Sequence, residues 1–392
     1  MTDQPLRGVT VLDLSTRLPG PLATLLLAQA GARVIKVERP PQGDELRAFA
    51  PRLDGESAHF RWLNRGKESV TLDLKDDRDR AALEALLAGA DVLVEQFRPG
   101  VMARLGLDFA ALSQRHPRLI CCAITGYGQD DPRSMTAAHD LNYQADAGLV
   151  GSAARGADGV PVLPPVLLGD IAGGSYPAVM SILLALMQRQ ATGRGQFLDI
   201  AMSRNVEVFA FWNAIQGSLT GDWPAPGAGR HTGGSPRYQV YATRDGRFLA
   251  VAALEDRFWQ AFQEAIGLAI PPEQERAAPR EAIAAVAARI AARDAADWLA
   301  AFDGRDLCCN LAPDLAGAVA ANRALHGEGG GDGAPLPHIP LPLAMQFTTG
   351  RYDPPAARLG EQNGRLAEDR RSAPGRPAAP QAGGAEAAEG RR

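Results

Sequence analysis

Two residues in the middle of the chain are placed to carry protons. His139 follows Thr136-Ala137-Ala138 and precedes Asp140-Leu141-Asn142-Tyr143, a polar-to-apolar change that predicts a helix start near 138–140. The positive end of a helix disfavours an imidazolium, so a histidine there suits a neutral base. Asp170 follows Val166-Leu167-Leu168-Gly169 and precedes Gly173-Gly174, at the predicted start of a long apolar helix over 171–190. Read alone, the histidine is an ordinary hydrogen-bonded one and the aspartate an N-cap. Read together, two bases facing one carbon can take a proton from one side and return it from the other.

The elements that must position them alternate in type. Val9–Leu14, Arg33–Glu38, Val70–Leu74, Asp91–Glu95 and Leu119–Ile124 read as strands; segments from Gly20 to Gly31, 79–87 and 107–114 read as helices between them. Gln196–Met202 adds another strand and 206–219 another helix. This alternation predicts an α/β fold with a parallel, Rossmann-like sheet covered on both faces. Ser15-Thr16-Arg17-Leu18-Pro19-Gly20 follows the first strand, so the glycine-rich dinucleotide fingerprint is missing, and no Walker motif occurs.

The composition changes at the Pro/Gly-rich stretch Gly221–Gly229. The predicted division is a large domain over 1–220, completed by about 338–366, a linker at 221–230, and a small α+β domain over 231–325. The small domain opens on a hairpin around Asp245-Gly246, with helices near 256–266, 280–293 and 295–302. Gly327–Gly333 reads as a mobile insertion and 367–392 as a disordered tail, rich in Pro, Ala, Gly, Glu and Arg.

The 392 residues carry a formal net charge of −4, which points to neither nucleic acid nor an anionic membrane as a bulk partner. No run of eighteen apolar residues predicts a membrane span. The four cysteines form two adjacent pairs, Cys121-Cys122 and Cys308-Cys309, which fit neither a disulfide framework nor a zinc site. A reducing, cytoplasmic setting is expected.

The motifs Thr125-Gly126-Tyr127-Gly128, Ala138-His139-Asp140-Leu141-Asn142-Tyr143, Gly169-Asp170, Gly195-Gln196 with Asp199, Phe97-Arg98-Pro99-Gly100 and Gly233-Gly234-Ser235-Pro236-Arg237-Tyr238 together resemble the class III CoA-transferase family (CaiB/BaiF type). Within it they look most like the 2-methylacyl-CoA racemases. The resemblance runs from about residue 7 to about 365. It implies an acyl-CoA substrate, an interlaced homodimer, and no metal or redox cofactor, CoA being part of the substrate. It implies Asp170 and His139 as catalytic groups, with Glu255 contacting the histidine across domains or subunits. It further implies that Arg39, Leu72, Lys75, Gln96, Phe97, Arg98 and Arg104 bind CoA, and that Asp140 and Tyr143 line the thioester site. On the residues alone, the basic ones read as solvated surface charge and Glu255 as a surface carboxylate or cap. Family transferases use the aspartate as a nucleophile and often carry a mobile glycine-rich loop. Here that loop is His231-Thr232-Gly233-Gly234-Ser235-Pro236, short in glycine and stiffened by proline, which favours the racemase.

Overall fold

The computed structural model describes residues 4–326, 339–347 and 355–365. The glycine-rich insertion at 327–333, residues 348–354 and the tail beyond 365 lie outside the described residues.

The first half of the chain builds a six-stranded parallel sheet. Its strands are β1 (Thr10–Asp13), β2 (Arg33–Glu38), β3 (Glu68–Thr71), β4 (Val92–Glu95), β5 (Ile120–Thr125) and β6 (Phe197–Ala201). They lie in the order β3-β2-β1-β4-β5-β6, all neighbours parallel. The strand order reverses between β1 and β4, and open α/β sheets bind ligands outside the carboxyl ends of strands at such a point.

Between β1 and β2 lies α1 (Pro19–Gln29), between β2 and β3 lies α2 (Ala58–Asn64), and α3 (Asp77–Leu87) and α4 (Phe109–Arg115) flank β4. The sequence reading gave no element at α2. Strand β3 stops three residues short of the predicted Leu74. Asp73 there turns the chain by accepting the Lys75 N–H at 3.1 Å, and Asp76 caps α3 through the Arg78 N–H at 2.8 Å. Likewise α4 begins two residues later than predicted because Asp108 caps it, accepting the Ala111 N–H at 3.0 Å.

Successive strand residues serve opposite faces of the sheet. Val11, Val92, Cys122 and Ile182 belong to one core cluster, and Leu12, Leu93, Cys121 and Leu83 to another. The adjacent Cys121 and Cys122 thus point into different cores, and both are free thiols. Residues 355–365 run beside the outer strand β3. Gln362 Oε1 accepts the Ser69 N–H at 2.6 Å and Asn363 Oδ1 the Thr71 N–H at 2.9 Å, which covers an otherwise open sheet edge.

Past β5 come α5 (Asp140–Asp146) and then α6, one continuous helix over Leu168–Thr192. By length and composition alone α6 could cross a membrane, but no uninterrupted run of eighteen apolar residues occurs in it, and Ala178, Ile182 and Ala185 are buried in the core over the sheet. After α7 (Phe211–Thr220) the chain forms a separate antiparallel sheet, β7 (Tyr238–Ala242), β8 (Phe248–Ala252) and β9 (Cys309–Ala312). Helices α8 (Asp256–Ile266), α9 (Pro272–Ala277), α10 (Pro279–Ile290) and α11 (Ala295–Phe302) accompany it. Its core is its own, built on Tyr241, Leu249, Trp259, Phe262, Val286 and Trp298.

The large sheet is pinned by a buried polar cluster. Asp13, at the end of β1, is fully enclosed. Lys67 Nζ donates to Asp13 Oδ2 at 3.1 Å, and also to Thr24 Oγ1, Pro21 O and Asn64 Oδ1 at 2.8 to 2.9 Å. Thr24 Oγ1 donates to the same carboxylate at 2.6 Å, and Ser15 Oγ to its other oxygen. Lys36 Nζ donates to Ser15 O at 2.8 Å and pairs with Asp44 at 3.0 Å. Burial pushes the Asp13 carboxyl up, but the Lys36 and Lys67 ammoniums overcome this and hold it well below the usual carboxylate range. Burial pulls Lys67 down to about 8, against the attraction of Asp13.

Removing one partner of a buried pair strands the other charge, at a cost of about 3–5 kcal/mol. Lys67→Met is therefore expected to lower the unfolding free energy by about that amount in urea titrations. A loss below about 1 kcal/mol, the range of an exposed pair, would mean that Asp13 is not held as described.

Candidate active site

The loop Ser15–Leu18 leads from the pinned end of β1 into α1, and it joins two regions at the carboxyl edge of the sheet. One is a cavity of about 300 Å³, lined among others by Ser15, Lys36, Arg39, Leu72, Lys75 and Phe97. It thus gathers four of the residues that the sequence singled out, Arg39, Leu72, Lys75 and Phe97, beyond the ends of β2, β3 and β4. Gln96 points elsewhere: its Oε1 accepts the Gly20 N–H at 3.0 Å, at the first turn of α1. Arg98 and Arg104 are exposed and lie outside the cavity lining, with the Arg104 guanidinium close over Gly100.

Phe97 is fixed from behind. Glu95, buried at the end of β4, accepts the Phe97 N–H at 2.7 Å. Burial, with Asp199 nearby, pushes the Glu95 carboxyl up to about 7. The sequence reading missed Glu95, Lys36 and Glu38. The available signal was charge at alternating positions of strands in a sheet covered on both faces, where such residues must be buried and paired.

The second region holds His139 and Asp170. Asp199, on β6, accepts the Gln129 N–H at 3.0 Å and anchors the chain leaving β5. That chain leads to His139, the exposed residue that caps α5, whose N–H donates to Asn142 Oδ1 at 3.0 Å. The next residue, Asp140, is buried. Its Oδ1 accepts the Asp170 N–H at 3.0 Å, and its Oδ2 accepts from Gln144 Nε2 at 2.6 Å. One hydrogen bond therefore ties the start of α5 to the residue that the sequence pairs with His139. Tyr143 packs beneath, its hydroxyl donating to Ala138 O at 3.0 Å.

Asp170 is not an N-cap. It is the third residue of α6, in helical conformation, and its side chain makes no capping bond. The predicted start at 171 is late because Ile171–Ser175 form a π-helical turn, which the apolar pattern does not reveal. Gly173 and Gly174 in this turn pack against neighbouring elements; a Cβ on Gly173 would lie 2.8 Å from Met202 O. Asn205 Nδ2 donates to Gly173 O at 2.7 Å, satisfying a carbonyl of the widened turn. Ser175 Oγ donates to Pro19 O at 2.8 Å, so the helix bearing Asp170 is seated directly on the start of α1.

Burial, and next the charge of Asp140, raise the Asp170 carboxyl to about 6, with His139 opposing both. Burial, with Asp170 nearby, pushes the Tyr143 phenol up to about 12. A carboxyl that titrates near neutrality can both accept and donate a proton in ordinary buffer. Glu255 does not join this group within the chain. It is exposed, one residue before α8, and acts electrostatically on Cys308; among the described residues no hydrogen bond or ion pair joins it to His139. Among the described residues, no group of three or more His, Cys, Asp or Glu side chains is arranged to hold a metal ion.

Known proteins place this arrangement in a family. CoA-transferase family III matches residues 6–363, and the chain belongs to it. It is 36% identical over 309 residues to alpha-methylacyl-CoA racemase of Homo sapiens, covering 77% of this chain and 76% of that protein. It is also 36% identical over 308 residues to acetyl-CoA:oxalate CoA-transferase of Acetobacter aceti, covering 75% and 77%. The crystal structure of a CAIB/BAIF family protein from Brucella suis superposes with a TM-score of 0.78 at 27% identity, covering 93% of this chain and 99% of that one.

The electrostatics of Asp170 can be tested without a substrate. Replacing Asp140 with Asn keeps an oxygen acceptor for the Asp170 N–H but removes the negative charge. A carbon NMR titration should place the Asp170 midpoint near 6 in the wild type, and at lower pH in Asp140→Asn. An unchanged midpoint would remove Asp140 as a cause.

Proposed function

We propose that the chain is a 2-methylacyl-CoA racemase, interconverting R and S thioesters by transferring the α-proton through an enolate. The observation that carries this reading is the tie between the two helix starts. It brings a histidine and a carboxyl of near-neutral affinity into one electrostatic neighbourhood. One of them removes the α-proton, and the electrons of the C–H bond pass into the thioester to give the enolate. The other returns a proton to the opposite face of the same carbon. Backbone N–H groups near His139 and Asp140 stabilise the enolate oxygen. CoA lies along the sheet edge with its adenine against Phe97, and with Arg39 and Lys75 toward its phosphates.

The specific observation behind the alternative is identity: a transferase and a racemase match this chain equally, at 36%. In a transferase Asp170 attacks the thioester, CoA leaves as the thiolate, and an aspartyl anhydride forms. Two features support the racemase. One is a histidine at 139. The other is the packing of the loop where transferases of the family often carry mobile glycines. A Cβ on Gly234 would fall 1.9 Å from Ala228 O, so this loop is pressed against backbone.

We further propose a homodimer, in which the partner supplies Glu255 to His139. A carboxylate there would hold one imidazole tautomer and raise its basicity. The support is two uncovered apolar helix faces: Met180, Leu184 and Met187 of α6 and Phe211, Ile215 and Leu219 of α7 are all more than half exposed. Exposed apolar faces of this kind mark an interface.

Proton NMR of a 2-methylacyl-CoA in heavy water tests the reaction. Wild type should erase the α-proton signal; His139→Ala should slow this at least about 100-fold, as expected for loss of a general base. No exchange from the wild type, together with CoA movement onto a free acid and an Asp170 adduct trapped by hydroxylamine, would establish the transferase instead. Light scattering after gel filtration should give twice the 41.5 kDa chain mass; a monomer would leave Glu255 with no route to His139.

A further inference from the structure

We infer that Arg237 is a positioning residue for Glu255: its guanidinium grips the turn on both sides of that carboxylate and fixes the direction in which it leaves the surface. The inference rests on the racemase reading, in which Glu255 orients His139.

Arg237 ends the loop segment Gly233-Gly234-Ser235-Pro236 and precedes β7. Its side chain is 15% exposed, and its donors are divided between two tasks. Nε and Nη2 form a two-pronged pair with Glu275 on α9, at 2.6 and 2.9 Å. This fork fixes the guanidinium plane. Nη1 then donates to Leu254 O at 3.1 Å and to Asp256 Oδ1 at 2.7 Å. Those acceptors belong to the residues immediately before and after Glu255. The guanidinium also lies 5.6 Å from the centre of the Trp259 ring, one turn into α8.

Nothing else on Glu255 itself does this. It occupies the cap position of α8, yet its side chain makes no capping bond. Among the described residues no side chain bonds the exposed carboxylate, which leaves it open to meet a histidine of another surface. The charged neighbours on its own turn are Asp256 and Arg257; Cys308 faces it across the β8–β9 end of the sheet, with Asp306 beside that thiol. A turn that carries an unanchored functional side chain needs its backbone held from outside, and Arg237 supplies that hold. It also links the packed glycine loop to the Glu255 turn, so loop and carboxylate form one rigid unit.

A merely structural arginine would be felt in stability. A positioning arginine is felt in turnover, through Glu255. The test compares α-proton exchange rates over a range of 2-methylacyl-CoA concentrations for wild type, Glu255→Gln, Arg237→Gln, Arg237→Lys and the double variant Arg237→Gln/Glu255→Gln. Arg237→Gln should lower kcat about 10-fold, the scale of a sub-ångström misplacement, and leave KM for the thioester unchanged. The double variant should be no slower than Glu255→Gln alone, because both changes act through one group. Arg237→Lys keeps the charge against Glu275 and Asp256 but lacks the fork; it should fall between wild type and Arg237→Gln, and it serves if the neutral variant fails to fold. Losses that multiply in the double variant, a change confined to KM, or an Arg237→Gln enzyme with wild-type turnover would each overturn the inference. If Glu255→Gln is impaired and Arg237→Gln is not, this inference falls alone. A wild type that exchanges no α-proton overturns the racemase reading and this inference with it.

Discussion

The charge pair between Asp13 and Lys67 is the constraint on which the rest of the site depends. Both groups are enclosed, and two charges taken out of water seldom repay their desolvation in stability alone. What this pair does is fix geometry. Lys67 reaches Pro21 O, Thr24 and Asn64 as well as Asp13, so the end of β1, the first turns of α1 and the end of α2 are set by one ammonium. From that fixed point, Gln96 on the Gly20 N–H places the strand end that carries Phe97, and Ser175 on Pro19 O places the helix that carries Asp170. The cavity and the Asp170 site share one origin.

Asp170 then acquires its character from position. A carboxylate at an N-cap would be stabilised by backbone N–H groups and held ionised. This one is past the cap, half-buried, and beside a second carboxylate, and all three circumstances favour its protonated form. The π turn behind it keeps it there while letting Gly173 approach Met202. Such a group suits proton transfer at neutral pH. Its ionised form serves equally as a base and as a nucleophile, so the preference for the racemase rests on the histidine at 139 and on the packed loop around Gly234.

The parallel sheet was legible because strands and helices alternate in clean apolar blocks, and His139 was legible because a polar-to-apolar change marks a helix start. Helix α8 was read to its end residues, since the spacing of Trp259, Phe262 and Ile266 is unambiguous. The failures have physical causes. The burial of Lys36 and Glu38 was not legible because a single strand does not reveal what lies across from it. Asp170 looked like a cap because a π turn leaves no periodic signature. The role of Arg237 depends on three acceptors from two distant segments, which no local pattern contains.

The most direct measurement starts from one pure epimer of a 2-methylacyl-CoA in heavy water and follows deuterium separately in the recovered substrate and in the inverted product, before equilibrium. Two bases on opposite faces predict that inverted product is deuterated from the first turnover, while recovered substrate keeps its proton longer. Equal deuteration of both pools would indicate a single base serving both faces. Neither inversion nor exchange, with CoA appearing on an added carboxylate, would contradict the account and give Asp170 the role of nucleophile.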